Sequence, residues 1–208
     1  MTSADWYFDF ISPYSYFAWL RLDSLPDVQL NYRPILFAGL LNHWEQKGPA
    51  EIAGKREWTY RWCTWVARQR NIAFRFPAAH PFNPIPYLRL ALAANCSRQA
   101  IDTIFKALWT SGADAGDPQL PIELAQRLNI DTARINEPSI KDALRTNTDA
   151  AIAHGVFGVP TLRIGGQLFW GDDALDFARA FLSDPTLFDD AEMRRVGALP
   201  IGVARKLN

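Results

Sequence analysis

The chain has 208 residues, 49% hydrophobic and 21% charged, and its 22 basic and 22 acidic side chains give a formal net charge of zero. That fits one globular unit, argues against a nucleic-acid partner, and leaves no apolar run long enough to span a membrane. Met1 to Asp5 lack the basic segment and apolar core of a secretory signal, so a cytoplasmic location is expected.

Trp6 to Ile11 is apolar apart from Asp9 and rich in aromatics, which predicts a buried strand. Ser12-Pro13 stops it and starts a helix, because serine is a good N-cap and proline suits the first helical position. Tyr16, Phe17, Trp19, Leu20 and Leu22 give that helix its apolar faces. Ser12 then stands at a helix N-terminus, where backbone N–H groups favour negative charge. Capping alone explains a serine there, so a chemical role has to be argued from the rest of the chain.

Val28 to Pro34 alternates as a second strand, and Phe37 to Trp44 reads as a short helix. From Glu51 to near Asn71 the period is helical, with Trp58, Trp62, Trp65, Val66 and Gln69 recurring. Trp44, Trp58, Trp62 and Trp65 suggest an apolar pocket. Ala79 to Pro86 is a rigid loop with Pro81, Pro84 and Pro86. Helical patterns follow over Tyr87–Ala94, Ala100–Ser111, Pro121–Leu128 and Ile140–His154. Thr161–Ile164 and Gln167–Trp170 form a hairpin at Gly165-Gly166. Gly171-Asp172 caps a helix from about Asp173 to Leu182, and Asp184 to Asn208 is a surface tail.

The assembled order is β-α-β, a helical insertion, then β-β-α. This is an α/β chain in the thioredoxin layout: residues 1–38 and 155–208 form the thioredoxin-like domain, and residues 39–154 an all-helical insertion.

In that layout the end of the first strand faces Val159, ahead of Pro160, where an extended peptide can pair by strand addition. Redox members of the fold carry two cysteines at the first helix. Here those positions are Ser12, Pro13, Tyr14 and Ser15, and serine cannot form a disulfide. No base adjoins Ser12 in sequence, so its natural role is to donate a hydrogen bond to the thiolate of a bound thiol. Glutathione is the abundant cytosolic candidate. Asp172-Asp173 reads either as a helix cap or as an anchor for the γ-glutamyl end of that ligand. Cys63 and Cys96 are far apart and belong to no CxxC, and His43, His80 and His154 are scattered, so no metal site is expected.

Asp9-Phe10-Ile11-Ser12-Pro13-Tyr14-Ser15-Tyr16, Gly155 to Thr161 and Phe169 to Asp173 together resemble the family of 2-hydroxychromene-2-carboxylate isomerases and kappa-class glutathione transferases, within the DsbA-like thioredoxin group. The likeness runs over nearly the whole chain. It implies that Ser12, with Pro13 and Tyr14, binds and activates the glutathione sulfur, and that Val159 pairs with the cysteinyl backbone ahead of a cis Pro160. It also implies that Trp170, Gly171, Asp172 and Asp173 grip the γ-glutamyl end and that Gln46 and Lys55 lie near the tripeptide; the family is often dimeric, which leaves a homodimer open here. The chain departs from the family at Asp173-Ala174, where Asp-Arg is common. Ala38 to Asn42 contains no substrate lysine, and His80 to Pro84 is unlike the corresponding loop. His80 and Asn83 then either orient a different substrate or serve the loop itself.

These residues predict a glutathione-dependent isomerase acting on an unsaturated small molecule. Conjugation or peroxide reduction with the same thiolate is the nearest alternative. A non-catalytic module for extended peptides is the alternative outside enzymology.

Overall fold

The computed structural model describes residues 2–203, so the end of the expected tail, 204–208, lies outside the described residues. Strand β1 (Thr2–Phe8) runs parallel to β2 (Val28–Pro34), from Thr2 opposite Val28 to Phe8 opposite Pro34, and helix α1 (Pro13–Trp19) lies between them in the chain. Strand β3 (Thr161–Ile164) pairs antiparallel with the other edge of β1, and β4 (Gln167–Trp170) completes the order β2-β1-β3-β4. Between β2 and β3 come α2 (Phe37–His43), α3 (Ala53–Gln69), α4 (Ile85–Ala93), α5 (Arg98–Thr110), α6 (Gln119–Arg127) and α7 (Pro138–Ala153). Helices α8 (Leu175–Ser183) and α9 (Ala191–Gly197) follow β4. This is a thioredoxin-like α/β fold with a helical insertion.

From Trp6 to Phe8 β1 is buried on both faces, which is why that part reads as an apolar run, while Thr2, Ser3 and Asp5 before it are polar and more exposed. Ala4, Trp6 and Phe8 join one cluster with Phe10 and with Ile104, Phe105 and Leu108 of α5. Trp6 stacks on Phe8 with centroids 4.4 Å apart, and Phe10 meets Phe105 edge-on at 4.7 Å. Burying each such side chain contributes about 1.5–3 kcal/mol. Tyr7 points the other way, to Ile35, Leu40, Ala151, Val156 and Val159. The helical segment therefore covers both faces of the central strand.

The hairpin forms at the expected glycines, whose φ of +55° and +88° suit a two-residue turn. β1, however, runs from Thr2 to Phe8 rather than from Trp6 to Ile11. The Asp9 carboxylate accepts the N–H of Ile11 at 3.0 Å and that of Phe37 at 2.9 Å, and the chain turns there. Helix α8 begins at Leu175, with Ala174 as its N-cap, so Asp172 does not cap it. On α3, Thr59, Cys63, Val66 and Ala67 face inward, and their modest bulk lets the helix approach closely. Trp58, Trp62 and Trp65 are 59%, 40% and 52% exposed and stack in a ladder with spacings of 5.5 and 5.1 Å. The α3 tryptophans thus form an outer face. Among the described residues no helix is long and apolar enough to cross a membrane.

Candidate functional site

Tyr7 on β1 pairs with Thr161 on β3. The residues that follow β1 and those that precede β3 therefore leave the same end of the sheet. Ser12 stands there as the N-cap of α1, with φ −92° and ψ 118°, and Pro13 occupies the first helical turn. Its Oγ accepts the N–H of Ser15 at 3.2 Å. Because that bond uses a lone pair, the hydroxyl proton stays available to donate elsewhere. Ser15, at the second dithiol position, is fully buried, and its hydroxyl has no partner among the described residues.

The turn that carries Ser12 is held on all sides. Ile35 donates to the Phe8 carbonyl at 2.9 Å, and Trp109 Nε1 donates to the Phe10 carbonyl at 2.9 Å. The Ser12 N–H donates to the Asp9 carbonyl at 3.1 Å. His80 Nε2 lies 2.8 Å from the Ile11 carbonyl oxygen. A carbonyl can only accept, so Nε2 carries the proton, and the single Tyr60 Oη proton is shared between the His80 carbonyl oxygen and Nδ1, each 2.7 Å away. Burial lowers the His80 pKa, which keeps the ring neutral near pH 7, and the Ile11 contact opposes that shift. Asp9 is fully buried, and burial lifts its carboxyl to about 7 even though two backbone N–H groups favour the charged form.

Pro160 follows a cis peptide bond, as does Pro81. Gly171, with φ +102°, donates its N–H to the Pro160 carbonyl at 2.9 Å, which ties the loop after β4 to this edge. Val159 precedes β3, and its backbone takes no part in the sheet ladder. The Asp172 carboxylate is buried and is hydrogen-bonded by Arg70. Arg21 Nη1 lies 3.9 Å from it and donates to the Asp172 carbonyl at 2.7 Å, while Arg21 Nη2 pairs with Asp176 at 3.1 Å. Asp173 is exposed beside it. Burial, with the Cys63 thiol close by, raises the Tyr14 phenol. Burial likewise pushes Cys63 up to about 12, which makes it an unreactive thiol.

The model of the DSBA-like thioredoxin domain matches residues 4–183. The chain belongs to the DSBA-like thioredoxin domain family. Within it, the chain is 29% identical over 196 residues to the 2-hydroxychromene-2-carboxylate isomerase of Sphingobium xenophagum, covering 86% of this chain and 97% of that protein. It is 27% identical over 204 residues to the glutathione S-transferase kappa 2 of Caenorhabditis elegans, covering 86% and 91%. A solved 2-hydroxychromene-2-carboxylate isomerase superposes with a TM-score of 0.75 at 23% identity, covering 92% of this chain and 98% of that one.

In this DSBA-like chain, Ser12, Pro13, Tyr14, Val159, Pro160 and Trp170 to Asp173 gather at one end of the sheet, and Trp170 is 55% exposed. Gln46 and Lys55 are exposed, in the loop after α2 and in the first turn of α3. Asn83 Oδ1 accepts the Ile85 N–H at 3.1 Å at the start of α4. His80 has both ring nitrogens engaged, so it presents no free nitrogen to a substrate. Asp9, Tyr60 and Arg70 were not singled out from the sequence. Asp9 alone left a signal, a lone acid in an apolar run.

Proposed function

We propose that the chain is a cytoplasmic glutathione-dependent isomerase of the 2-hydroxychromene-2-carboxylate isomerase type. The observation that carries this reading is the pair Ser12 and Ser15 at the dithiol positions of a DSBA-like fold. With no disulfide to exchange, the reacting sulfur has to arrive on a ligand. The kappa-class glutathione transferase relative supports glutathione as that ligand.

In this reading the cysteinyl backbone of glutathione pairs with Val159. Asp172 is already neutralised by Arg70 and Arg21, which leaves Asp173 to hold the γ-glutamyl ammonium. Gln46 and Lys55 reach the rest of the tripeptide. Ser12 accepts from the Ser15 N–H and donates a hydrogen bond to the thiolate. The thiolate adds to a conjugated double bond of the substrate, forming a C–S bond, and the displaced electron pair rests on the conjugated carbonyl. Rotation follows about the new single bond. The electron pair then returns, the C–S bond breaks, and glutathione leaves with the other isomer formed. Ser12 acts by electrostatic stabilisation and forms no covalent bond. The kappa-class relative supports a second reading, in which the same thiolate attacks an electrophile and stays attached.

Calorimetric titration with glutathione and S-methylglutathione, on wild type and Ser12→Ala, tests the proposal. Glutathione binding that weakens in Ser12→Ala, with S-methylglutathione binding changed far less, supports a thiolate held by Ser12. A folded protein that binds neither ligand overturns it and favours a peptide-binding module.

A further inference from the structure

The helical insertion contains a hollow of about 450 Å³ between α4, the start of α6 and the 3-10 turn Thr132–Asn136. None of its lining residues belongs to the Ser12 site. Pro121, Ile122 and Ile135 make much of its wall apolar, and Arg89, Thr132 and Asn136 are the polar exceptions. The volume lies within the range of about 300–1,000 Å³ typical of small-molecule sites, and an apolar wall with a few convergent polar groups is their usual character.

Arg89 is the unusual member. Its Nε is buried without a partner, and among the described residues the guanidinium forms no hydrogen bond and no ion pair. Arginine stays charged at any physiological pH, and Arg89 is only partly buried, so its outer nitrogens reach solvent while Nε lacks a partner. Four acids directly adjoin lining residues in sequence, and none pairs with Arg89: Glu123 lies 3.9 Å from Arg127 and Glu137 accepts the Ser139 hydroxyl at 3.4 Å. Asp117 accepts the Gln119 N–H at 2.9 Å, and Asp131 accepts the Ala133 N–H at 2.9 Å. Thr132 is half-buried and Asn136 exposed, so both side chains are open to solvent beside the hollow. An anionic group with an apolar body suits the Arg89 fork and the apolar wall together.

We propose that this hollow is a binding site for a small apolar carboxylate, whose carboxylate pairs with the Arg89 fork and meets Thr132 and Asn136 while its body lies on Pro121, Ile122 and Ile135. The guanidinium fork matches two carboxylate oxygens, which a lysine at the same place does not. The proposal stands apart from the glutathione reading, since it uses none of the same residues.

The test is calorimetric titration with 2-naphthoate, a planar apolar monoanion, and with its neutral counterpart 2-naphthamide. Wild type is expected to bind 2-naphthoate with a sub-millimolar Kd, at least tenfold tighter than the amide, and equally well with glutathione at saturation. Arg89→Met is expected to weaken 2-naphthoate binding at least tenfold, with Arg89→Lys in between. Absence of binding at millimolar 2-naphthoate, equal affinity for the amide, displacement by glutathione, or undiminished binding in Arg89→Met each overturns the proposal. Should Arg89→Met not fold, the comparison of naphthoate with naphthamide on wild type and Arg89→Lys still decides.

Discussion

His80 Nε2 lies 2.8 Å from the carbonyl oxygen of Ile11, the residue immediately before Ser12. On the other side of the same residue, the Ile11 N–H is taken by the Asp9 carboxylate at 3.0 Å. One side chain two residues away and one from a distant loop therefore hold Ile11 at both its N–H and its carbonyl, and Ser12 leaves the turn from that held residue. Tyr60 in turn steadies His80 through Nδ1. His80 acts on Ser12 through the backbone and is a positioning residue.

Replacing His80 with Phe keeps a ring of similar width and removes the donor to Ile11. The orphaned carbonyl should cost about 1–3 kcal/mol. Urea unfolding checks this, and His80→Gln, whose amide nitrogen reaches where Nε2 lies, should recover most of the loss. Glutathione-dependent activity should follow the same order, lowest in His80→Phe. Equal activity in the Phe and Gln variants would show that the Ile11 contact does not position Ser12.

Asp9 should make stability depend on pH in an unusual direction. Burial lifts its folded pKa from 3.8 to about 7. Between those values the folded chain holds a proton that the unfolded chain has released. The stabilising contribution is full below about pH 4 and declines as pH rises to about 7, at about 1.4 kcal/mol per unit. Asp9→Asn cannot titrate, so the variant should lose this decline. Unfolding measured at pH 4.5, 6.0 and 7.5 on both proteins checks it, and parallel pH curves would refute the assignment to Asp9.

The parts of the fold that local chemistry decides were legible in the sequence. The Gly165-Gly166 turn forms because both glycines tolerate positive φ, and the strands on either side follow. Helices of the insertion begin and end within about two residues of their periodic patterns. Pairings between distant segments were not legible. Asp9 reaches Phe37, His80 reaches Ile11 and Arg70 reaches Asp172 only after the chain has closed, and no spacing encodes those meetings. The α3 tryptophans show a further limit. Their period identifies one face of the helix, but inward placement went to the face with Thr59, Cys63 and Ala67, where the backbone can approach closely.

Arg70 and Asp172 join the end of α3 to the loop after β4, and the Asp172 carboxylate is buried. Removing either partner leaves the other charge poorly compensated, although Arg21 remains 3.9 Å from the carboxylate. Arg70→Met and Asp172→Asn should each cost about 1–3 kcal/mol. The double variant should cost less than the sum, with a coupling of about 1 kcal/mol measured in a double-mutant cycle. Strict additivity would mean that the two side chains do not interact energetically.

Ser12 carries two duties that separate by chemistry. As N-cap it accepts the Ser15 N–H at 3.2 Å, and as proposed donor it hydrogen-bonds a thiolate. Ser12→Ala loses both, so it should lower stability by about 1 kcal/mol and lower activity as well. Ser12→Asp keeps a strong cap acceptor and offers no proton while ionised, and its charge repels a thiolate. Stability should then stay near wild type while turnover falls about 10²–10³-fold, the usual consequence of losing one stabilising donor. Ser12→Thr retains a hydroxyl able to do both and should keep most of the activity. Thermal unfolding and glutathione-dependent turnover, measured on the three variants together, decide between the duties. If Ser12→Asp stays active, the hydroxyl is only a cap and the thiolate is held by another group.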